Sequence, residues 1–314
     1  MTKIRGLVMT QSLCPPDSLV SSVVMVKFLA DHFGLPIYAW KNHGPVLPVD
    51  YLFLVNSSTL FTDDAYRKFI DQQVARSKRL IFVQNDYVLP VHSRIRKILV
   101  KKKIPLTYWT TVARRCREEH DRQLNWNALV YRKLKPTRQP PQYNRVLYFG
   151  SYRNQRDKMF KMYLQHAVYP LTISASSGVQ IRKFESNLTL SPKTELVSRS
   201  KIGSLIEILQ NYAMTLYLQD PYSDRNDTCP ANRFYEALAA GTAQVFEVGC
   251  KQLFQAHGYD IEPYIFQSQN QIKQLLRHAP DIALEQRRLW RRDHVGALTK
   301  QVRQAFFDLR RARD

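Results

Sequence analysis

Asn232-Arg233-Phe234-Tyr235-Glu236-Ala237-Leu238-Ala239-Ala240-Gly241-Thr242 is the stretch whose reading decides the fold. An apolar run, Met214–Leu218, and a turn-rich segment, Asp220–Pro230, precede it; a second apolar run, Ala243–Val248, follows. The sequence predicts strand, loop, helix, strand. Arg233 and Glu236 are three residues apart and share one face at the start of the helix. Orphan N–H groups and the positive dipole end gather there and favour an anion. A guanidinium fork can grip two phosphate oxygens, and a carboxylate can accept both hydroxyls of a diol. The same two residues also suit a surface ion pair on an ordinary crossover helix. Gly241 is placed to end the helix in a left-handed cap.

Outward from this stretch the pattern repeats. Short apolar runs at Ile4–Met9, Pro36–Trp40, Tyr51–Val55 and Leu80–Val83 alternate with helical patterns, one ending at Phe33 before Gly34 and one over Asp63–Ser77. That alternation predicts a parallel sheet wrapped by helices, with ligands beyond the carboxyl ends of the strands. Asn56, Ser57, Ser58 and Asp86 fall at that edge. Three prolines in Lys135–Gln142 mark a linker. After it Val146–Phe149 runs into Gly150-Ser151-Tyr152-Arg153-Asn154-Gln155-Arg156 and a helix from about Asp157. A strand–glycine turn with two arginines makes a second phosphate cradle. Further strands are expected near Leu171–Ile173 and Leu188–Leu190, a helix over Ile202–Tyr212, and one long helix over Glu285–Asp314. Leu289, Val295, Leu298, Val302, Phe306 and Leu309 would form its apolar stripe, packed across both domains or laid on an anionic surface.

The 314 residues suffice for two domains, and 44% hydrophobic residues with 11% aromatics exclude a disordered chain. Lys plus Arg number 47 against 26 acids, a net charge of +21, which favours polyanions. The charge is clustered. Arg94, Arg96, Lys97, Lys101, Lys102, Lys103, Arg114, Arg115 and Arg117 occur with no acid among them and with Tyr108 and Trp109 between. Such a run is either a nucleic-acid surface or a solvated helix face. Cys14, Cys116, Cys229 and Cys250 form no CxxC pair and are read as free thiols. The amino terminus is too short and polar before the first strand for a signal peptide, and no apolar run reaches membrane-span length. A cytoplasmic protein without a membrane partner is expected.

Taken together, Asp50-Tyr51, Val55–Ser58, Ile81–Pro90, Leu106-Thr107-Tyr108, Val146–Arg156, Ser200-Lys201-Ile202 and Asp227–Glu236 resemble, in order, segments of the DNA β-glucosyltransferases of T-even bacteriophages. The resemblance implies an α/β protein of the GT-B fold. Residues 1–140 would be an acceptor-binding Rossmann-like domain and 141–284 a nucleotide-sugar domain facing it across a cleft. Residues 285–314 would be a basic helix crossing back to the first domain. It implies a monomeric, inverting, base-flipping hexosyltransferase that moves glucose from UDP-glucose to 5-hydroxymethylcytosine or 5-hydroxymethyluracil in duplex DNA. By position it makes Asp86 the catalytic base. Gly150, Ser151, Arg153, Arg156 and Arg233 would be diphosphate ligands, Glu236 the ribose ligand, Ile202 a uracil contact and Asp227 a sugar contact. The basic run would hold DNA. The turn between Arg153 and Arg156 is one residue shorter than the family's, and the family's glutamate in the first helix is absent, with Asp17 and Ser18 nearby. Three arginines can carry the leaving-group charge, so a divalent metal can assist but is not required. A transferase of envelope or lipid-linked glycans and a non-catalytic nucleic-acid-binding protein are the competing readings.

Overall fold

The computed structural model describes residues 5–10, 21–55, 63–84, 91–113, 116–133, 140–198, 205–218, 229–290 and 294–311. The chain divides into two compact units, one of Met1–Val130 with His294–Asp314, the other Tyr131–Asp293.

In the first unit the order is β1 (Gly6–Thr10), α1 (Ser21–Phe33), β2 (Ile37–Tyr38), β3 (Val49–Val55), α2 (Asp64–Ala75), β4 (Ser77–Gln84), α3 (Ser93–Lys102), β5 (Leu106–Thr110) and β6 (Arg122–Gln123). All six strands pair parallel, in the order β2-β1-β3-β4-β5-β6. The registers pair Val8 with Phe53 and Phe53 with Ile81, so each strand's alternate residues line up on one face. Val8, Phe53, Ile81 and Trp109 face a core shared with α1; Leu7, Leu52, Leu80 and Phe82 face one shared with α2 and α3. Burial on both faces is why these strands read as unbroken apolar runs.

The second unit contains β7 (Tyr143–Phe149), α4 (Asp157–Tyr163), β8 (Leu171–Ala175), α5 (Gly178–Asn187), β9 (Thr194–Ser198), α6 (Leu205–Gln210), β10 (Tyr212–Tyr217), α7 (Asn232–Ala240) and β11 (Ala243–Glu247). After these come α8 (Lys251–Ala256), β12 (Ile265–Phe266), α9 (Gln269–Arg277) and α10 (Ala279–Leu289). Its parallel sheet runs β12-β11-β10-β7-β8-β9. Counted within the unit, that is the 3-2-1-4-5-6 order of dinucleotide-binding sheets, whose switch point lies between β7 and β10. Gly241 ends α7 at φ 71°, and its N–H bonds the last turn. The fold is thus two six-stranded Rossmann-like sheets, as the sequence pattern implies.

Three expected elements differ. No strand forms at Leu188–Leu190: Leu188 caps α5, and the edge strand β9 starts six residues later. The helix expected over Ile202–Tyr212 is described as α6, Leu205–Gln210, and Tyr212 already belongs to β10. The expected helix over Glu285–Asp314 is two helices, α10 and α11 (His294–Arg311). Trp290 closes α10 and inserts among Phe234, Phe246, Tyr259 and Tyr264 of the second unit. α11 instead buries Leu298, Val302, Phe306 and Leu309 in the core of the first unit, beside α1. Each such side chain contributes roughly 1.5–3 kcal/mol of burial free energy. The apolar stripe of the tail is therefore occupied by packing and is not a face for an anionic surface.

Candidate functional site

The carboxyl ends of β7 and β10 are where the second sheet opens between strands whose connections leave in opposite directions. β7 leads directly into Gly150, whose N–H donates to the Ser174 carbonyl at 3.0 Å. The turn continues through Ser151, Tyr152 and Arg153. The Tyr152 N–H is held by Gln180 Oε1 at 2.8 Å, and the Tyr152 hydroxyl donates to Asp157. Burial and the Asp157 carboxylate push the Tyr152 hydroxyl up to about 12. Arg153 stands at the head of the 3-10 turn Asn154–Arg156, half-buried. Arg156 is only 4% exposed, and its Nη1 donates to the Tyr148 hydroxyl at 3.4 Å.

Across the switch point, β10 ends in Tyr217 and Leu218. The Arg233 guanidinium lies 4.6 Å from the centre of the Tyr217 ring, and its Nη2 donates to the Leu218 carbonyl at 2.9 Å. The Tyr217 hydroxyl accepts the Ala231 N–H at 3.0 Å. One aromatic ring thus fixes both the start of α7 and its first arginine. Glu236, one turn further along α7, is half-buried.

The two arginine-bearing segments converge. Cys250, fully buried just beyond β11, feels both Arg233 and Arg156 as nearby positive charges. Its thiol is nonetheless held well above the usual range, first by burial and then by the Glu247 carboxylate. Glu247 ends β11 and is 9% exposed. The locus therefore carries two guanidinium groups and one buried carboxylate beside the first turn of a nine-residue helix. The surplus of charge at this locus is positive.

Tyr148, Tyr217 and Glu247 were not singled out from sequence. The available signal was positional: each lies at or next to the carboxyl end of a predicted strand. Asp86, Ile202, Asp227, Arg114, Arg115, Asp17, Ser18 and Asn56-Ser57-Ser58 lie outside the described residues. Arg94, Arg96, Lys97, Lys101, Lys102 and Lys103 all lie on α3 or its cap and are exposed. Arg94 is ion-paired to Asp71 of α2. Burial raises the Asp71 carboxyl above its ordinary range while Arg94 opposes the shift. Cys116, Cys229 and Cys250 are free thiols. Among the described residues no three His, Cys, Asp or Glu side chains cluster as metal ligands, and no helix is long and apolar enough to cross a membrane.

No protein-family model matches the sequence, and no curated protein does. Solved structures do. The DNA-modifying β-glucosyltransferase, solved with and without uridine diphosphoglucose, superposes with a TM-score of 0.69 over 96% of this chain and 99% of that one, at 12% identity. The T4 phage enzyme in complex with UDP-glucose gives 0.70 over 96% and 98%, also at 12%. The fold is that of the GT-B glycosyltransferases. An α-glucosyltransferase bound to UDP and a 13-mer DNA follows at a TM-score of 0.54 and 10% identity, over 95% of this chain and 94% of that one.

Proposed function

We propose that this chain is a UDP-sugar-dependent transferase that moves a hexose, with glucose the first candidate, to the hydroxymethyl group of a modified pyrimidine in duplex DNA. The observation that carries the donor half is the convergence of Arg156 and Arg233 at the switch point of a 3-2-1-4-5-6 sheet. A nucleoside diphosphate laid there meets two guanidinium groups, the turn that follows Gly150 and the start of α7. Arg153 and Glu236 complete the proposed set, as ligands of the diphosphate and of the ribose. Ile202 and Asp227 are assigned the uracil and the sugar.

In the proposed reaction Asp86 removes the proton of the acceptor hydroxymethyl group. The oxygen bonds to the anomeric carbon from the face opposite the diphosphate. The bond from that carbon to the diphosphate oxygen breaks, and UDP leaves with the electron pair. A primary alcohol is a poor nucleophile at neutral pH, which is why a positioned carboxylate is needed. Charge gathers on the leaving UDP, where Arg153, Arg156 and Arg233 oppose it. A target base inside a duplex must be turned out of the stack before it can react.

The DNA half is supported by the net charge of +21 and by fold neighbours that are DNA-modifying or DNA-bound enzymes. The glycan alternative relied on a basic tail free to lie on a membrane, and the apolar stripe of α11 is buried.

The test is UDP release from a panel of UDP-sugars with hydroxymethylated or plain duplex DNA, in wild type and Asp86→Asn. Release that depends on the hydroxymethyl group and falls on the order of 100-fold in the variant, with donor binding retained, is expected. Equal release with plain DNA would remove the acceptor, and near-normal turnover of the variant would remove Asp86 as the base.

A further inference from the structure

α3 carries a chain from the carboxyl end of β4 to the amino end of the parallel strand β5, so its last turn lies at the amino pole of the first sheet. Lys101, Lys102 and Lys103 are in that turn and its left-handed cap, all exposed. With Arg96 and Lys97 on the same helix they make five exposed cations with no carboxylate within 4 Å among the described residues. The helix C-terminus favours cations, which accounts for one or two of them but not for a cluster. Exposed Val100, 74% accessible, lies among them.

Against the start of β5 is a cavity of about 770 Å³. Arg79 on β4, Arg96 on α3 and Arg117 line it, and half-buried Tyr108 on β5 contributes an aromatic wall. Arg79 donates to Thr107 Oγ1 at 3.1 Å, which holds it against β5. Three acids also line the cavity, and they are not equivalent. Asp121 is buried and accepts the backbone N–H groups of Tyr108, Arg117 and Glu118, so it is taken up in holding the loop. Glu118 and Glu119 are exposed at the mouth and would turn a polyanion away from the loop, toward α3.

β4 is eight residues long, so the two poles are about 26 Å apart. Asp86 follows β4 in the sequence, beyond its carboxyl end; the lysines lie at the other end. Lys101–Lys103 of the basic run therefore stand at the end of β4 opposite the one from which the chain continues toward Asp86.

We propose that the amino pole of the first sheet is a second nucleic-acid site, in which Arg96, Lys97 and Lys101–Lys103 hold the phosphate backbone of a duplex independently of the one presenting the acceptor base. The inference goes beyond the transferase reading and stands on the first unit alone.

The test is titration of the whole chain with an unmodified duplex of about 12 base pairs, roughly 40 Å long, without nucleotide sugar. Wild type is compared with Arg96→Glu/Lys101→Glu/Lys102→Glu/Lys103→Glu. A control, Arg182→Glu/Lys183→Glu/Lys273→Glu/Arg277→Glu, makes the same charge change on exposed residues of the second unit. Two duplexes per wild-type chain and one per α3 variant are expected, with the control behaving as wild type. The salt dependence of total binding should lose a slope of about 3 to 4, near 0.9 per phosphate contact. One duplex in wild type and none in the α3 variant would uphold this site while leaving the acceptor reading without its DNA. Equal stoichiometry and slope in wild type and the α3 variant, or an equal loss in the control, would overturn it. A transferase reading that fails on UDP release leaves this measurement unaffected.

Discussion

Arg233 and Tyr217 form a cation–π pair, with the guanidinium 4.6 Å from the ring centre at the first turn of α7. The ring and the Leu218 carbonyl, which accepts from Arg233 Nη2 at 2.9 Å, together hold the guanidinium at that turn. An ammonium has no plane to stack and no fork to offer. Arg233→Lys is therefore expected to weaken UDP binding at least about ten-fold, near 1.4 kcal/mol, while leaving the fold intact. Isothermal titration with UDP measures it. Affinity within two-fold of wild type would remove Arg233 from the diphosphate site.

Gly150 and Arg156 are coupled through Tyr148. A Cβ on residue 150 would stand 3.0 Å from the Tyr148 hydroxyl, which accepts from Arg156 Nη1. That contact is closer than real Cβ atoms comfortably make, and a buried tyrosine has little room to retreat. Gly150→Ala should displace the hydroxyl, unseat Arg156 and weaken UDP binding several-fold. Adding Tyr148→Phe removes the clashing oxygen. The double variant should bind UDP better than Gly150→Ala alone, a sign of coupling that a double-mutant cycle reads directly. Strictly additive losses would disconnect the turn from the arginine.

Much of this architecture was legible because of burial. Leu80–Val83 is an unbroken apolar run since both faces of its strand are covered, and Gly241 announced the end of α7 since the left-handed cap excludes most side chains. β9 was misplaced for the converse reason. It is an edge strand, Thr-Glu-Leu-Val-Ser, largely half-exposed, and carries no apolar run, whereas Leu188 is buried only as the cap of α5. The tail misled because periodicity reports spacing and not destination. Leu289 is 49% exposed at the end of α10, while Leu298 onward is buried in the other unit. At the site, Arg153, Arg156 and Arg233 were visible as charges after strands. Tyr148 and Tyr217 were not, because on buried strands an aromatic ring reads as core until its hydroxyl partner is known.

Asp63 gives the first unit a pH-dependent component. Its carboxylate accepts the Tyr66 N–H at 2.9 Å as the cap of α2, and Trp40 Nε1 donates to its other oxygen. The Tyr66 bond, then Trp40, hold the carboxyl below its ordinary value of 3.8. A lowered folded-state value means stability that is present above 3.8 and is lost as pH falls through the folded value. Asp63→Ala should therefore melt below wild type at neutral pH, and the gap should close in acid well below 3.8. A gap of constant size across that range would assign the cap to shape rather than charge.

Phe306 ties the last helix to the first sheet. Its ring centre lies 4.8 Å from that of Phe33 and 4.9 Å from that of Tyr51, and the side chain is 6% exposed. Truncation would leave a void bounded by three aromatic rings, counting Phe53 at 6.4 Å, and a sheet of parallel strands cannot collapse to fill it. Phe306→Ala is expected to cost about 3–5 kcal/mol in chemical denaturation, and Phe306→Leu less than about 1.5. The contrast matters because both variants keep an apolar residue on a helix, so propensity and charge are unchanged in kind and only the filled volume differs. Amide exchange in β1 and β3 should speed up with the first variant. A loss under about 1 kcal/mol for Phe306→Ala would mean that α11 lies on the first unit without completing its core.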